Sequence, residues 1–133
     1  MVQLRSYVCG EWYDGGVGGR ALVNPSTEEL IAETNTDGID YVQALRYARD
    51  VGGPALRQMT FLERGDLLKQ MSRALYAERE RLIEISSQCN GATRKDSKFD
   101  IDGATGTLAT YASLSKAMGD RRFQVDNDAI TLN

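Results

Sequence analysis

The hydrophobic pattern of this chain changes period once, at Asp37, and that change limits the folds open to it. Before it, short runs of aromatic and β-branched residues alternate with glycine and proline, as strands and turns require. After it, apolar residues recur every three or four positions, as in helices with one covered face. The chain has 133 residues, room for one domain and too little for two. The expected fold class is α+β. A β-hairpin arm takes 1–36, about four helices take 37–119, and short strands take 120–133.

Within the arm, residues 4–13 read as a first strand and Asp14 to Gly19 as a glycine-rich turn. The return strand runs from Arg20 through Val23 to Asn24-Pro25-Ser26-Thr27, where proline cannot donate to a ladder. Leu30 to Thr34 resume as a strand. Ile39, Val42, Leu45 and Ala48, with Tyr41 beside them, predict a helix from Asp37 that Gly52-Gly53-Pro54 ends. Thr60-Phe61-Leu62-Glu63 is a capping-box sequence, so a second helix starts there, with Leu67, Leu68, Met71 and Leu75 inward and Arg64, Lys69 and Arg73 away. Ala77 to Cys89 predict a third, with Leu82, Ile83 and Ile85 inward and Asn90-Gly91 as a left-handed cap. The polar stretch Ala92 to Asp102 leads to a last stripe at Leu108, Tyr111, Leu114 and Met118, closed by Gly119-Asp120. Arg122 to Asn133 read as two short strands around a turn at Asp126-Asn127-Asp128.

The chemistry of the chain is defined first by an absence: it has no histidine. A Ser/His/Asp triad, a Cys/His pair and a His-ligated metal are excluded together. A net charge of -3 gives no general support for nucleic-acid binding. No apolar run reaches the roughly 18 residues of a membrane span, and no secretory leader is recognisable. A cytoplasmic protein with Cys9 and Cys89 as reduced thiols is the expectation.

Gly15, Gly16, Gly18 and Gly19 contain a G-x-G, but Ala21 stands where a third glycine belongs and no helix follows, so they read as a turn. Gly103 and Gly106 lack the strand and the Lys-Ser/Thr pair of a phosphate loop and read as a close approach of one helix to another backbone. Cys89 falls at a helix C-terminus, where the dipole opposes a thiolate, and Cys9 reads as a small filler in a strand. Asp96, Asp100 and Asp102 lack the spacing of a calcium loop and read as helix N-terminal or solvated charge. Arg79 and Arg81, with Glu78, Glu80 and Glu84, read as a mixed solvated face. These residues supply no catalytic group, no cofactor ligand and no metal site.

The order of motifs adds a resemblance. Tyr7-Val8-Cys9-Gly10-Glu11-Trp12, a glycine turn, and Val23-Asn24-Pro25-Ser26-Thr27-Glu28-Glu29 resemble the opening of the aldehyde dehydrogenase superfamily, with Glu28 where the family usually has glycine. Ala44-Leu45-Arg46-Tyr47-Ala48-Arg49 and Phe61 to Leu68 are similar to its first two helices, and Thr110-Tyr111-Ala112-Ser113 to its fourth. Gly52 to Leu56, Asn90 to Ser97 and Asp100 to Leu108 look most like one branch, the CoA-linked semialdehyde dehydrogenases of aerobic aromatic degradation, of the benzoyl-CoA route or the phenylacetate ring-opening protein.

The resemblance implies an incomplete portion of an α/β cofactor domain, working with NADP or NAD in a longer, homo-oligomeric parent. It implies that the attacking cysteine, the oxyanion donors, the glutamate base and the cofactor site lie beyond residue 133. The partner of this segment is then the remainder of the dehydrogenase, and no cofactor is expected to bind this segment alone. Tyr111 and Ser115 are the residues it places at a substrate entrance. The alternatives left open are a free-standing helical interaction module without enzymatic activity and a small enzyme using Cys89.

Overall fold

The computed structural model describes residues 2–16 and 18–124. Five short strands precede five α-helices: β1 Val2–Leu4, β2 Ser6–Val8, β3 Glu11–Tyr13, β4 Arg20–Val23, β5 Leu30–Thr34, α1 Tyr41–Tyr47, α2 Gly53–Gln58, α3 Phe61–Ala77, α4 Arg79–Asn90 and α5 Arg94–Met118. The α+β class holds. The terminal strand pair lies largely outside the described residues, and Arg122 to Gln124 are not strand.

The arm is not the single hairpin expected across Gly15 to Gly19. Residues 4–13 fold back on themselves, with β2 and β3 antiparallel and Val8 opposite Glu11. The two residues between them, Cys9 and Gly10, have φ of 54° and 88°, the pair of positive φ values that a tight type I′ hairpin turn requires. Cys9 is thus a turn residue and not a strand filler. β4 pairs instead with β5, which also takes β1 in parallel on its other edge. β5 is central and carries Ala32, a buried apolar residue. Asn35, just beyond it, donates to the carbonyls of Gly16 and Gly18 at 2.8 and 2.6 Å, so the glycine stretch is a connection pinned by one amide.

The β4–β5 link is closed by Asn24, whose carboxamide accepts from Ser26 N–H and whose carbonyl accepts from Glu28 N–H, each within 2.9 Å. Glu28 sits there at φ 62°, in the left-handed region. A glycine adopts that backbone freely, which explains physically why a glycine suits the position better.

The first helix starts later and ends differently than its stripe suggests. Asp40 caps it by accepting from Gln43 N–H. Gly52-Gly53-Pro54 does not break it: one π-helical turn, Ala48–Gly52, closed by Gly53 N–H on the Ala48 carbonyl, carries α1 into α2. Pro54 stands in the first turn of α2, where its missing N–H leaves no bond unmade and the wider turn spares the clash with the preceding carbonyls. Tyr41, Val42 and Leu45 are exposed among the described residues. Of this stripe, Ile39 alone is half-buried, beside Trp12 and Tyr13 of the hairpin.

The last three helices run close to their expected limits at three ends. Thr60 and Glu63 form the full capping box. Gly91 at φ 69° ends α4, and Gly119 at φ 65° ends α5. The start of α5 differs: Thr93 is its N-cap, so the polar stretch from Arg94 to Asp102 is the first third of a 25-residue helix. Burial in the helical part is small and partly polar, resting on Ile83 at 1% exposure with Ser97, Thr105, Ala112 and Ser115. The whole chain exposes 9989 Å², where a compact chain of its mass exposes about 6,900 Å².

Candidate functional site

The α3–α5 pair is the place where side chains of different elements converge. It is built on Gly65, a residue that the stripe pattern passes over. A Cβ on Gly65 would stand 2.0 Å from Ser115 Oγ, 2.5 Å from Ser115 Cβ and 3.2 Å from the Ala112 carbonyl. Only a hydrogen fits there. The helices therefore meet through Gly65, Ala112 and Ser115, while Leu67, Met71 and Leu75, expected to point inward, are exposed. Lower on the seam, Ser72 Oγ donates to the Thr105 carbonyl at 2.9 Å. Gly103 and Gly106 are not the close-approach glycines expected, since nothing lies within 4 Å of either.

The N-terminus of α3 is fully used by its own chain. Phe61 N–H donates to the Arg121 carbonyl at 2.8 Å and Leu62 N–H to the Gly119 carbonyl at 3.3 Å. Glu63 N–H donates to Thr60 Oγ1, and Thr60 N–H to the Glu63 carboxylate at 2.7 Å. That backbone bond, with the Thr60 hydroxyl second, lowers the Glu63 pKa below its ordinary value. Arg64, expected to point away, folds over the Phe61 ring at 4.3 Å and donates to the Arg122 carbonyl at 2.6 Å. The chain leaving α5 is thus tied back onto the start of α3.

At the far end, Arg79 and Asp102 join α4 to α5 through two bonds of 2.6 and 2.9 Å. Arg79 is largely buried there, a correction to the solvated-face reading. Hydrogen bonds from Arg79 first, then Lys98, hold the Asp102 carboxyl well below the usual carboxylate range. The same pairing raises the Arg79 pKa. Ser87 Oγ donates to Ser97 Oγ at 2.9 Å beside Ile83, closing the α4–α5 contact.

Of the two entrance residues, Tyr111 is 61% exposed and Ser115 is 8% exposed, with its hydroxyl donating to the Ala112 carbonyl at 2.7 Å. They share a shallow hollow of about 250 Å³ that Phe61, Leu68, Leu114 and Met118 also line. Its lining is apolar, suited to contact and not to proton transfer. Cys89 is exposed on the last turn of α4, remote in sequence from the hollow. Among the described residues no group of three His, Cys, Asp or Glu is placed to hold a metal ion, and no helix is long and apolar enough to cross a membrane. Gly15–Gly19 leads into β4 and not into a helix, and the first N–H groups of α3 are taken by the Arg121 and Gly119 carbonyls and the Thr60 hydroxyl.

Residues 12–133 match the aldehyde dehydrogenase family, and the chain belongs to it. It is 38% identical over 131 residues to 3,4-dehydroadipyl-CoA semialdehyde dehydrogenase of Aromatoleum evansii, covering 98% of this chain and 25% of that protein. It is 23% identical over 128 residues to 3,6-anhydro-alpha-L-galactose dehydrogenase of Vibrio sp. (strain EJY3), covering 96% of this chain and 27% of that one. The chain thus spans about a quarter of the length of these relatives. Among solved structures, an NAD-dependent benzaldehyde dehydrogenase from Corynebacterium glutamicum superposes with a TM-score of 0.75 at 21% identity, over 87% of this chain and 26% of that one. A point mutant of betaine aldehyde dehydrogenase from Staphylococcus aureus, in complex with NAD+, gives 0.73 at 23% identity, over 84% of this chain and 23% of that one. These two likenesses concern the fold.

Proposed function

We propose that this segment is the N-terminal part of an NAD(P)-dependent dehydrogenase that oxidises a CoA-linked semialdehyde from aromatic catabolism to the acid. The single observation that carries the reading is the 38% identity across 98% of the chain to a CoA semialdehyde dehydrogenase. Motif order supports the placement at the N-terminus, since Tyr7 to Trp12 and Val23 to Glu29 resemble the family's first strands. The segment's own residues do no chemistry in this account. Gly65 and Ser115 set the spacing of α3 and α5, and Tyr111, on the exposed side of that pair, borders the substrate entrance. The nucleophile, the base and the NADP or NAD site belong to the remainder of the enzyme, a cytoplasmic homo-oligomer.

The test is made on the native gene product that contains these residues. Its intact mass, read with an antibody against the segment, is expected to be several times 14.7 kDa. Supplied with NADP+ or NAD+ and a panel of aldehydes, it should reduce cofactor fastest with a CoA-linked semialdehyde. A gene product that reduces neither cofactor with any aldehyde would overturn the reading.

A further inference from the structure

A second hollow, larger than the one beside Tyr111, lies on the same helix pair. It is an open groove of about 630 Å³ on the α3–α5 seam, within the range of small-molecule sites. Its lining includes Arg73, Arg79, Lys98, Tyr76 and one carboxylate, Asp102, and Glu80 pairs with Arg79 from outside it. This excess of positive charge stands on a chain whose net charge is -3. Asp102 satisfies Arg79 with two bonds and Lys98 with a third at 3.1 Å. Arg73 has no ion pair among the described residues and is exposed at the groove wall.

A second feature has no role in the packing. Gly103 and Gly106 lie in the middle of α5 with nothing within 4 Å of a Cβ on either. Glycine in a helix interior costs about 1 kcal/mol against alanine, and here no close contact compensates. At 3.6 residues per turn, Gly103, Gly106 and Thr110 fall between the line Lys98, Asp102, Ala109 and the line Tyr111, Leu114, Met118. On this exposed side of α5, Gly103 and Gly106 leave a gap in the side chains between the basic groove and the hollow beside Tyr111, bounded by Phe99 and by Thr110, whose hydroxyl is turned back onto the Gly106 carbonyl.

From this arrangement we infer that the groove holds the phosphate-bearing adenosine end of a CoA thioester, whose pantetheine arm crosses α5 over Gly106 and Gly103 towards Tyr111. Guanidinium and ammonium groups match phosphate oxygens, a tyrosine face offers adenine a stacking surface, and the open space at Gly103 and Gly106 admits a thin polar arm. The inference rests on the CoA-linked substrate reading above.

The experiment compares kcat/KM of the native gene product for a CoA-linked semialdehyde with that for the same semialdehyde as a free acid. Two variants are measured in the same way: Arg73→Gln with Lys98→Gln, and Gly106→Leu, which restores helix propensity and so should not impair folding. Arg79 is left intact because it ties α4 to α5. Each variant is expected to lower the ratio of the two values about tenfold. A merely structural role would lower both values and leave the ratio unchanged. If the ratio survives in the charge variant, the phosphate assignment is overturned, and if it survives in Gly106→Leu, the path of the arm is overturned. A wild-type protein with no preference for the CoA-linked form would overturn the substrate reading itself, and the groove assignment with it.

Discussion

The arm and the helix pair of this segment are held by opposite means. In the arm, backbone ladders do the work: β1, β5 and β4 form one sheet and β2–β3 a separate hairpin, while Tyr7 and Trp12 stack edge to face at 5.2 Å in the open. In the helix pair, α3 and α5 approach most closely through glycine, alanine and serine, and Leu67, Met71, Leu75 and Tyr111 turn outward. One region exposes Tyr7 and Trp12, and the other exposes Leu67, Met71 and Leu75. A segment that exposes both is shaped to be covered by something else, and its own cohesion rests on hydrogen bonds and close backbone contact. Removing a small side chain's space should therefore hurt more than removing a large side chain.

The sharpest way to break that comparison is at Gly65. Gly65→Val should destabilise the protein by about 3 kcal/mol, since a β-branched group at 2.5 Å from Ser115 Cβ must push the helices apart. Leu67→Ala, on the exposed stripe of the same helix, should cost under about 1 kcal/mol in the isolated segment. Thermal unfolding of the two variants side by side checks the order, and a Leu67→Ala loss equal to that of Gly65→Val would reverse the account.

Asp102 comes next. Its folded pKa is depressed below the ordinary 3.8, so the stability it contributes is fully present above that value and is lost as pH falls through the lower, folded one. Asp102→Asn should lower the melting temperature at neutral pH and flatten its fall below about pH 4. An unchanged acid profile in the variant would show that the Arg79 pair contributes nothing measurable.

Two smaller effects separate the helix caps from the arm's turns. Thr60→Ala should cost about 1 kcal/mol by removing the capping-box acceptor, measurable by denaturant titration. Glu28→Gly should stabilise by about 0.5–1 kcal/mol, because the left-handed φ of 62° no longer opposes a Cβ. A destabilising Glu28→Gly would mean that chain entropy outweighs backbone strain there.

Features that depend on a few neighbouring residues were legible in the sequence. The capping box at Thr60, the left-handed cap at Gly91, the stop at Gly119 and the strand Leu30–Thr34 all follow from local chemistry. What failed depended on distant partners or on an uncommon residue choice. Cys9 is not a usual turn former, so the β2–β3 hairpin was hidden inside what reads as one strand. Gly52-Gly53-Pro54 reads as a break because glycine and proline disfavour a helix interior, and the π-helical turn Ala48–Gly52 that carries the helix through has no signature in hydrophobic periodicity. The α3–α5 seam was legible in part: Leu68, Leu108, Leu114 and Met118 are half-buried as their stripes suggest, but Leu67, Met71, Leu75 and Tyr111 are exposed, and the closest contact is made by Gly65, Ala112 and Ser115. A lone glycine inside a well-capped helix was the available signal for Gly65. For Tyr111 and Ser115 the signal was the family resemblance alone, and the structure sets one of them in the open and buries the other.

The central claim, that the apolar faces of this segment are meant for cover, is tested most directly on residues 1–133 alone, by hydrophobic-dye binding and light scattering against the native gene product. The account expects the isolated segment to bind dye or self-associate and the gene product to do neither in excess of its assembled state. An isolated segment that stays monomeric, melts sharply and binds no dye would contradict it.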